Sequence, residues 1–346
     1  MEAGSGTVLY EKNADEALPP ASVTKIMTVL LVLEALDSGS IHIDDRITVS
    51  DYAASMGGSQ VYLRAGEEMT VNDLLKCVIV ASANDAAVAL AEAVCGSEEA
   101  FVARMNARAS ELGMQNTTFR NTNGLDDEVS DHLTTARDIA IMTRETLKHS
   151  RVFEYTTIWM DTIRDGAFGL TNTNRLVRFY RGCNGLKTGS TSKAGYCISA
   201  TAERDGMQLI CVIMGAPNKD ARNSLAASLL DFGFAGWSVV HFDAAVLDPI
   251  AVSGAAVNTT VLKKPAFSAL VRRDDIKQIK ETLSLPKALS APLTLDQAIG
   301  EAVYSVGDQE IGRTQITVGE SIPRISFAVL FSRMFARFCM DPLPND

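Results

Sequence analysis

Three short clusters of chemically capable residues lie in order along the chain: Ser22-Val-Thr-Lys25, Ser82-Ala-Asn84 and Lys187-Thr-Gly189. A serine hydroxyl is a weak nucleophile until a base takes its proton. Residues three apart share one face of a helix, so Lys25 can meet Ser22 if this segment is helical. A helix start at Ser22 would set the positive end of the dipole beside developing negative charge. To act as a base Lys25 must be neutral, at least transiently; burial and a neighbouring cation such as Lys187 both lower a lysine pKa. Ser82 can pass protons between Lys25, Lys187 and a leaving group, and Asn84 can hydrogen-bond a substrate amide. Lys187 and Thr188 offer a cation and a hydroxyl to a carboxylate. Gly189 carries no side chain, so a substrate can approach its backbone closely. The set points to acyl transfer through a serine ester.

No single cluster carries this reading. The S-x-x-K spacing recurs at Ser190-Thr-Ser-Lys193 and Ser284-Leu-Pro-Lys287, and a surface serine and lysine is the ordinary meaning of one copy. Ser22 alone follows a Pro19-Pro20 stop and heads an apolar run, whereas Ser284 precedes a proline turn. Ser82-Ala-Asn84 is the one S-x-N in the chain and Lys187-Thr-Gly189 the one K-T-G. Rival sets fare worse. His132 and His149 lack a G-x-S-x-G elbow to serve, His42 and His241 are solitary, and no H-E-x-x-H, P-loop or G-x-G-x-x-G occurs.

The elements that must position these residues are legible from periodicity. Residues 7–11 read as a strand. Ser22 to Leu36 reads as a helix, with Ile26, Val29, Leu30 and Leu33 at helical spacing. Thr70-Val-Asn-Asp73 is a capping box opening a helix toward Val80. Further helices follow Asn84 as far as Ala93, run from Glu98 to Leu112 before Gly113, and open at Thr135-Ala-Arg-Asp138. Strands are expected at Tyr196–Thr201 and Gln208–Met214, joined by a turn at Arg204-Asp-Gly206, and a helix at Ala221–Phe232. The expected fold is α+β, an antiparallel sheet covered by helices over 1–240. Residues 245–320 carry short strand-like runs (259–262, 302–306, 315–318) and a Gly307-Asp308 turn, and read as a small all-β domain. In the tail, 326–346, Phe327, Leu330, Phe331, Met334, Phe335 and Phe338 recur at helical spacing beside Arg333 and Arg337. This suits an amphipathic helix lying in a membrane surface through 326–340, or one docked on its own protein.

The 346 residues are long enough for two domains, and 47% hydrophobic with 21% charged is ordinary for a folded chain. A net charge of −10 without a dense Lys/Arg stripe argues against nucleic acid as a partner. The six cysteines are spread singly, so neither a metal site nor a disulfide framework is expected. Cys77, Cys95, Cys197 and Cys211 lie in apolar runs and read as small core residues. The opening Met1-Glu-Ala-Gly has no export-signal profile, and no run of 18 apolar residues occurs.

The chain resembles the low-molecular-mass penicillin-binding proteins that are serine-type D-alanyl-D-alanine carboxypeptidases. The likeness covers nearly the whole chain: Gly6-Thr-Val-Leu-Tyr-Glu-Lys-Asn13, Pro20-Ala-Ser-Val-Thr-Lys-Ile-Met-Thr28, Ala81-Ser-Ala-Asn-Asp-Ala-Ala87, Asn123-Gly-Leu125, Thr134-Thr-Ala-Arg-Asp138, Asn172-Thr-Asn174 and Gly185-Leu-Lys-Thr-Gly-Ser-Thr-Ser-Lys-Ala-Gly-Tyr196, with Ala291-Pro292 and Ile299-Gly300 in the small domain. The resemblance implies that Ser22 attacks the penultimate D-alanine carbonyl of a peptidoglycan stem peptide, with Lys25 as general base. It implies an oxyanion hole from the Ser22 and Ser190 N–H groups, Ser82 protonating the leaving D-alanine, and Lys187 and Thr188 holding the terminal carboxylate, with Gly189 in the same segment. No cofactor is implied. β-Lactams are implied as inhibitors that trap Ser22, and an extracytoplasmic, membrane-associated location is inferred from the family. Two departures are visible: the export signal and the opening of the first strand do not precede Met1, as expected of a start that is trimmed or set late, and Asn184 stands where many members carry Asp. A β-lactamase of the same superfamily is the alternative, but no Glu-x-x-x-Asn loop lies between Asn84 and Lys187. A non-catalytic wall-binding module is the other, and it has no need of Ser22, Lys25, Ser82 and Lys187 together.

Overall fold

The computed structural model describes residues 1–126 and 129–340, in two compact units, Met1–Ala235 and Gly236–Asp346. In the first, Cys183–Thr191, Gly195–Arg204 and Met207–Ala216 form a three-stranded antiparallel sheet in that order. The central strand is buried over an unbroken run from Cys197 to Ala202, the pattern of a strand covered on both faces. The Lys187-Thr-Gly189 segment therefore lies on an edge strand, Cys183–Thr191, with its backbone paired on one side only.

The helix Lys25–Asp37 is buried nearly all round: Ile26, Met27, Val29, Leu30, Leu31, Val32 and Leu33 are core, and so are Lys25 and Thr28. A helix apolar on every face belongs inside a protein, and each such aliphatic side chain contributes about 1.5–3 kcal/mol on burial. Around it lie Val71–Val80, Asn84–Cys95, Glu98–Glu111 and Ala136–Thr146. Three of these helices start as their sequences predict. The Thr70 side chain accepts from Asp73 N–H, Ser97 from Ala100 and Thr135 from Asp138, each satisfying an otherwise orphan donor. The helix expected at Ala221–Phe232 is longer, Lys219–Gly236.

Two expectations are corrected. The α-helix expected from Ser22 begins at Lys25, and Ser22 lies in a preceding 3-10 turn, Ala21–Thr24. Residues 7–11 form no strand. Met1–Ala3 take the free edge of Met207–Ala216 instead, through Ile210 N–H to Met1 O at 2.9 Å and Ala3 N–H to Gln208 O at 2.8 Å. A turn on Glu2 then carries the chain off the edge, with Glu2 N–H bonded to Thr7 O and the Glu2 carboxylate capping Gly4 and Ser5. Val8 and Tyr10 are left exposed.

The second unit holds a six-stranded sheet in the order Ile279–Ser284, Ala298–Val306, Gln309–Val318, Thr259–Lys264, Ala245–Ser253, Ala288–Ser290. Trp237–Phe242 pairs with Phe267–Arg272, so this unit begins ahead of the 240–245 break expected from sequence. Tyr304 ties the two sheets, its ring centroid 4.2 Å from that of Phe242 and 4.9 Å from that of Phe267. A helix, Phe327–Met340, follows, with Phe327, Phe331, Phe335 and Phe338 exposed. No helix of the described residues is long and apolar enough to cross a membrane.

Candidate active site

The three sequence clusters come together in the first unit. Lys25 is fully buried, and its Nζ has three acceptors: Ser22 Oγ at 3.0 Å, Asn84 Oδ1 at 2.6 Å and the Asn123 carbonyl at 2.9 Å. Burial, and then the positive charge of Lys187, hold its pKa well below the ordinary lysine value, with Asp85 pulling the other way. A neutral amine has two hydrogens and one lone pair. Given Asn84 Oδ1 and Asn123 O for its hydrogens, the lone pair is left facing the Ser22 hydroxyl.

Lys187 is buried too, and its Nζ donates to Ser82 Oγ at 2.8 Å and to Thr188 O at 2.9 Å. Burial, followed by the charge of Arg222, brings its pKa down to about 7. Arg222 is itself buried, reaching Cys197 O on the central strand at 3.5 Å and the Asn223 side chain.

The backbone around both serines is constrained. Ala21 has φ +49° and Ser82 φ +63°, a left-handed conformation that costs a non-glycine residue on the order of 1–3 kcal/mol and persists only where the surroundings impose it. Gly124 lies against the Ala21–Thr24 turn, where a Cβ would stand 1.8 Å from Ala21 O. Thr28 Oγ1 donates to Thr122 O at 2.6 Å, fixing the same loop to the helix. On the other side, a Cβ on Gly189 would lie 2.7 Å from Ser22 N and 2.9 Å from Val23 N. The edge strand thus presses its bare backbone against the Ser22 amide.

Asn84 opens the helix Asn84–Cys95, its Oδ1 committed to Lys25 and an amide hydrogen to Gly57 O at 2.7 Å. Sequence reasoning placed it on a substrate amide, and the structure adds the bond that its Oδ1 accepts from Lys25. Beside it, buried Asp85 accepts from Val61 N–H at 3.1 Å and Leu63 N–H at 3.0 Å, fixing the adjoining loop. Thr188 is buried, Ser190 is exposed, and both extend the Lys187 strand.

The remaining candidates fall elsewhere. Lys193, of the second S-x-x-K copy, bonds the Asp126 carbonyl; Ser284 and the third copy belong to the second unit. His132 is buried with a pKa lowered by desolvation to about 4, hence neutral. Its Nδ1 accepts from Arg120 N–H at 3.2 Å, which leaves Nε2 to donate to Thr24 Oγ1 at 2.9 Å. It braces the Ala21–Thr24 turn. His149 pairs with Asp37. Asn184 gives Oδ1 to Thr201 and Gln208 while its own amide donates to Gln208 Oε1 at 2.9 Å, a bond no aspartate could donate. Among the described residues no group of three His, Cys, Asp or Glu is placed to hold a metal.

Sequence reasoning gave no role to Asn123, Asp85 or Arg222 and set His132 aside. Asn123 acts through its carbonyl and so leaves no side-chain signal. An acid in the first turn after Ser82-Ala-Asn84 was the available clue to Asp85.

A family model described as D-alanyl-D-alanine carboxypeptidase matches residues 1–218, and one described as penicillin-binding protein 5, C-terminal domain, matches 251–324. The chain is 38% identical over 340 residues to D-alanyl-D-alanine carboxypeptidase DacF of Bacillus subtilis, covering 96% of this chain and 87% of that protein. Among solved structures, penicillin-binding protein 5 of Haemophilus influenzae superposes with TM-score 0.79 at 31% identity, over 94% of this chain and 96% of the other. The ampicillin-bound form of penicillin-binding protein D2 from Listeria monocytogenes gives 0.62 at 34% identity, over 67% and 94%.

Proposed function

The chain belongs to the D-alanyl-D-alanine carboxypeptidase family, and on that premise we propose that Ser22, Lys25, Ser82 and Lys187 perform its reaction. The observation that carries this reading is the pair of short contacts from two buried lysines to two serines, Lys25 to Ser22 and Lys187 to Ser82. Neutral Lys25 takes the Ser22 proton as Oγ attacks the carbonyl carbon of the penultimate D-alanine. The carbonyl π-electrons move to oxygen, which the N–H groups of Ser22 and Ser190 receive. As the tetrahedral intermediate collapses, the C–N bond breaks and Ser82 hands its proton to the departing D-alanine nitrogen. The proton that Lys25 took from Ser22 returns to Ser82, so that both groups enter deacylation as they began. Water then adds to the Ser22 ester with Lys25 again as base, releasing the shortened peptide.

Lys187 and Thr188 receive the terminal carboxylate, the charge and hydroxyl that a D-alanyl C-terminus calls for. Gly189 lets the edge strand lie close against the turn that carries Ser22, and a peptide can lie along that strand. Asn84 orients Lys25 through Oδ1. Peptidoglycan stem peptides are the substrate and β-lactams the inhibitors. A β-lactam presents the same carboxylate and acyl carbon, and ampicillin is bound in the Listeria relative.

The terminal helix lies at a membrane surface on the extracytoplasmic side. Its rings of Phe327, Phe331 and Phe335 stack in one exposed row, with centroids 6.1 and 6.4 Å apart, and Arg333 and Arg337 lie on the same helix, the composition of an interfacial helix.

The test is covalent labelling with a fluorescent penicillin together with D-alanine release from a pentapeptide. Wild type should do both and Ser22→Ala neither, with its melting temperature retained; labelling of the variant would overturn the nucleophile assignment. Co-sedimentation with anionic lipid vesicles should fall on deleting residues 326–346, and equal sedimentation would overturn the surface helix.

A further inference from the structure

The segment Asn172-Thr-Asn174 is built with more care than a connecting loop needs. Asn172 N–H bonds Trp159 O at 2.9 Å and its side-chain amide bonds Ile158 O at 2.7 Å, while Asn172 Oδ1 receives Asn174 N–H at 2.8 Å. Asn174 Nδ2 donates to Gly185 O at 2.8 Å, on the strand that carries Lys187. Between them, Thr173 N–H bonds Val80 O at 3.1 Å, at the end of the helix leading to Ser82. Both asparagine side chains are buried and spent on the backbone, whereas Thr173 is exposed. The one side chain left pointing out of this frame meets Thr188, whose Oγ1 lies 2.8 Å from Thr173 Oγ1.

We propose that Thr173 is a positioning residue for the substrate carboxylate, its hydroxyl aiming the hydrogen of Thr188. The proposal rests on the reading of Lys187 and Thr188 given above. A threonine hydroxyl has one hydrogen and two acceptor sites. In the arrangement described, Thr188 donates to Thr173. When a carboxylate arrives, Thr188 turns its hydrogen to the anion and Thr173 donates to the oxygen that Thr188 has freed. Two hydroxyls in series, ending on a charge, polarise each other in one sense. Thr173 needs no contact with substrate; the asparagines on either side fix its distance from Thr188, and Val80 O fixes its height relative to Ser82.

The test compares a peptide ending in D-Ala-D-Ala with the same peptide ending in the carboxamide, using wild type, Thr173→Val, Thr173→Ser and Thr188→Val. Thr173→Val should lower the carboxylate-over-amide ratio of kcat/KM roughly three- to tenfold, mainly through KM for the acid, and Thr173→Ser should restore it. Equal losses on both peptides would mark a merely structural role and overturn the proposal. So would an unchanged ratio in Thr173→Val beside a lowered one in Thr188→Val, which would leave the parent reading standing. A wild type that does not distinguish the two peptides would overturn both.

Discussion

Lys187 Nζ lies 2.8 Å from Ser82 Oγ across 105 residues of chain. The second cluster is thus held by the third, much as the first is held by its own Lys25. Removing the Ser82 hydroxyl leaves Lys187 buried with one partner fewer and the departing amine without a proton donor. Ser82→Ala should lower kcat for D-alanine release by roughly 100-fold or more. Steady-state kinetics on a pentapeptide checks this, and a loss under threefold would remove Ser82 from proton transfer.

The second expectation concerns pH. Lys187 is the larger of the two charges acting on Lys25, after burial itself, and it lowers that pKa. Replacing it by an uncharged side chain lets the Lys25 pKa rise, so less of the neutral base is present at a given pH. In Lys187→Met the acid limb of penicillin acylation should move to higher pH. Second-order acylation rates measured from pH 5 to pH 10 read the limb directly, and a downward move would contradict the coupling.

Stability should carry a signature of Lys187 as well. Its pKa is about 7 in the folded chain against a reference of 10.5. Between those values the unfolded chain holds a proton that the folded chain has lost, so stability rises with pH across this window. Below about pH 7 both states are protonated and the penalty is fully present. The difference in urea midpoint between wild type and Lys187→Met should therefore change with pH over 7–10.5, with wild type gaining relative to the variant as pH rises. A constant difference would argue against the depressed pKa.

Gly189 has no room for a methyl group. The atoms met first are the backbone of Ser22, Val23 and Pro20, at 2.7 to 3.0 Å, which cannot rotate aside. Gly189→Ala should push the edge strand off the nucleophile turn, costing about 1–3 kcal/mol as overpacking does and slowing acylation by penicillin. Urea unfolding and labelling rates measure the two effects; normal values of both would show that the turn yields.

Much of the site was legible because its chemistry sits in side chains at fixed spacing. Ser22 and Lys25 meet three residues apart, and the single S-x-N and K-T-G supplied the partners. The helices opening at Val71 and Ala136 announced themselves through Thr70 and Thr135 as side-chain caps. What stayed hidden is carried by backbone or by long-range pairing. The Asn123 carbonyl that receives Lys25 could be any residue's carbonyl. The bond that Asn84 Oδ1 accepts from Lys25 stayed hidden too, because sequence cannot tell which polar partner an amide oxygen will face. The strand expected at 7–11 has β-prone residues in Thr7, Val8 and Tyr10, but pairing depends on a free edge, and Met1–Ala3 occupy that edge.

The scattering of the site along the chain has a practical consequence. Ser22, Ser82 and Lys187 are brought together by contacts between segments far apart in sequence, and no local fragment contains them all. On the proposed reaction of Ser22, a fluorescent penicillin is therefore a conformational reporter as well as a label. During refolding from urea, the labelled fraction should count molecules that have finished assembling, and it should lag behind any probe that responds to the formation of single helices.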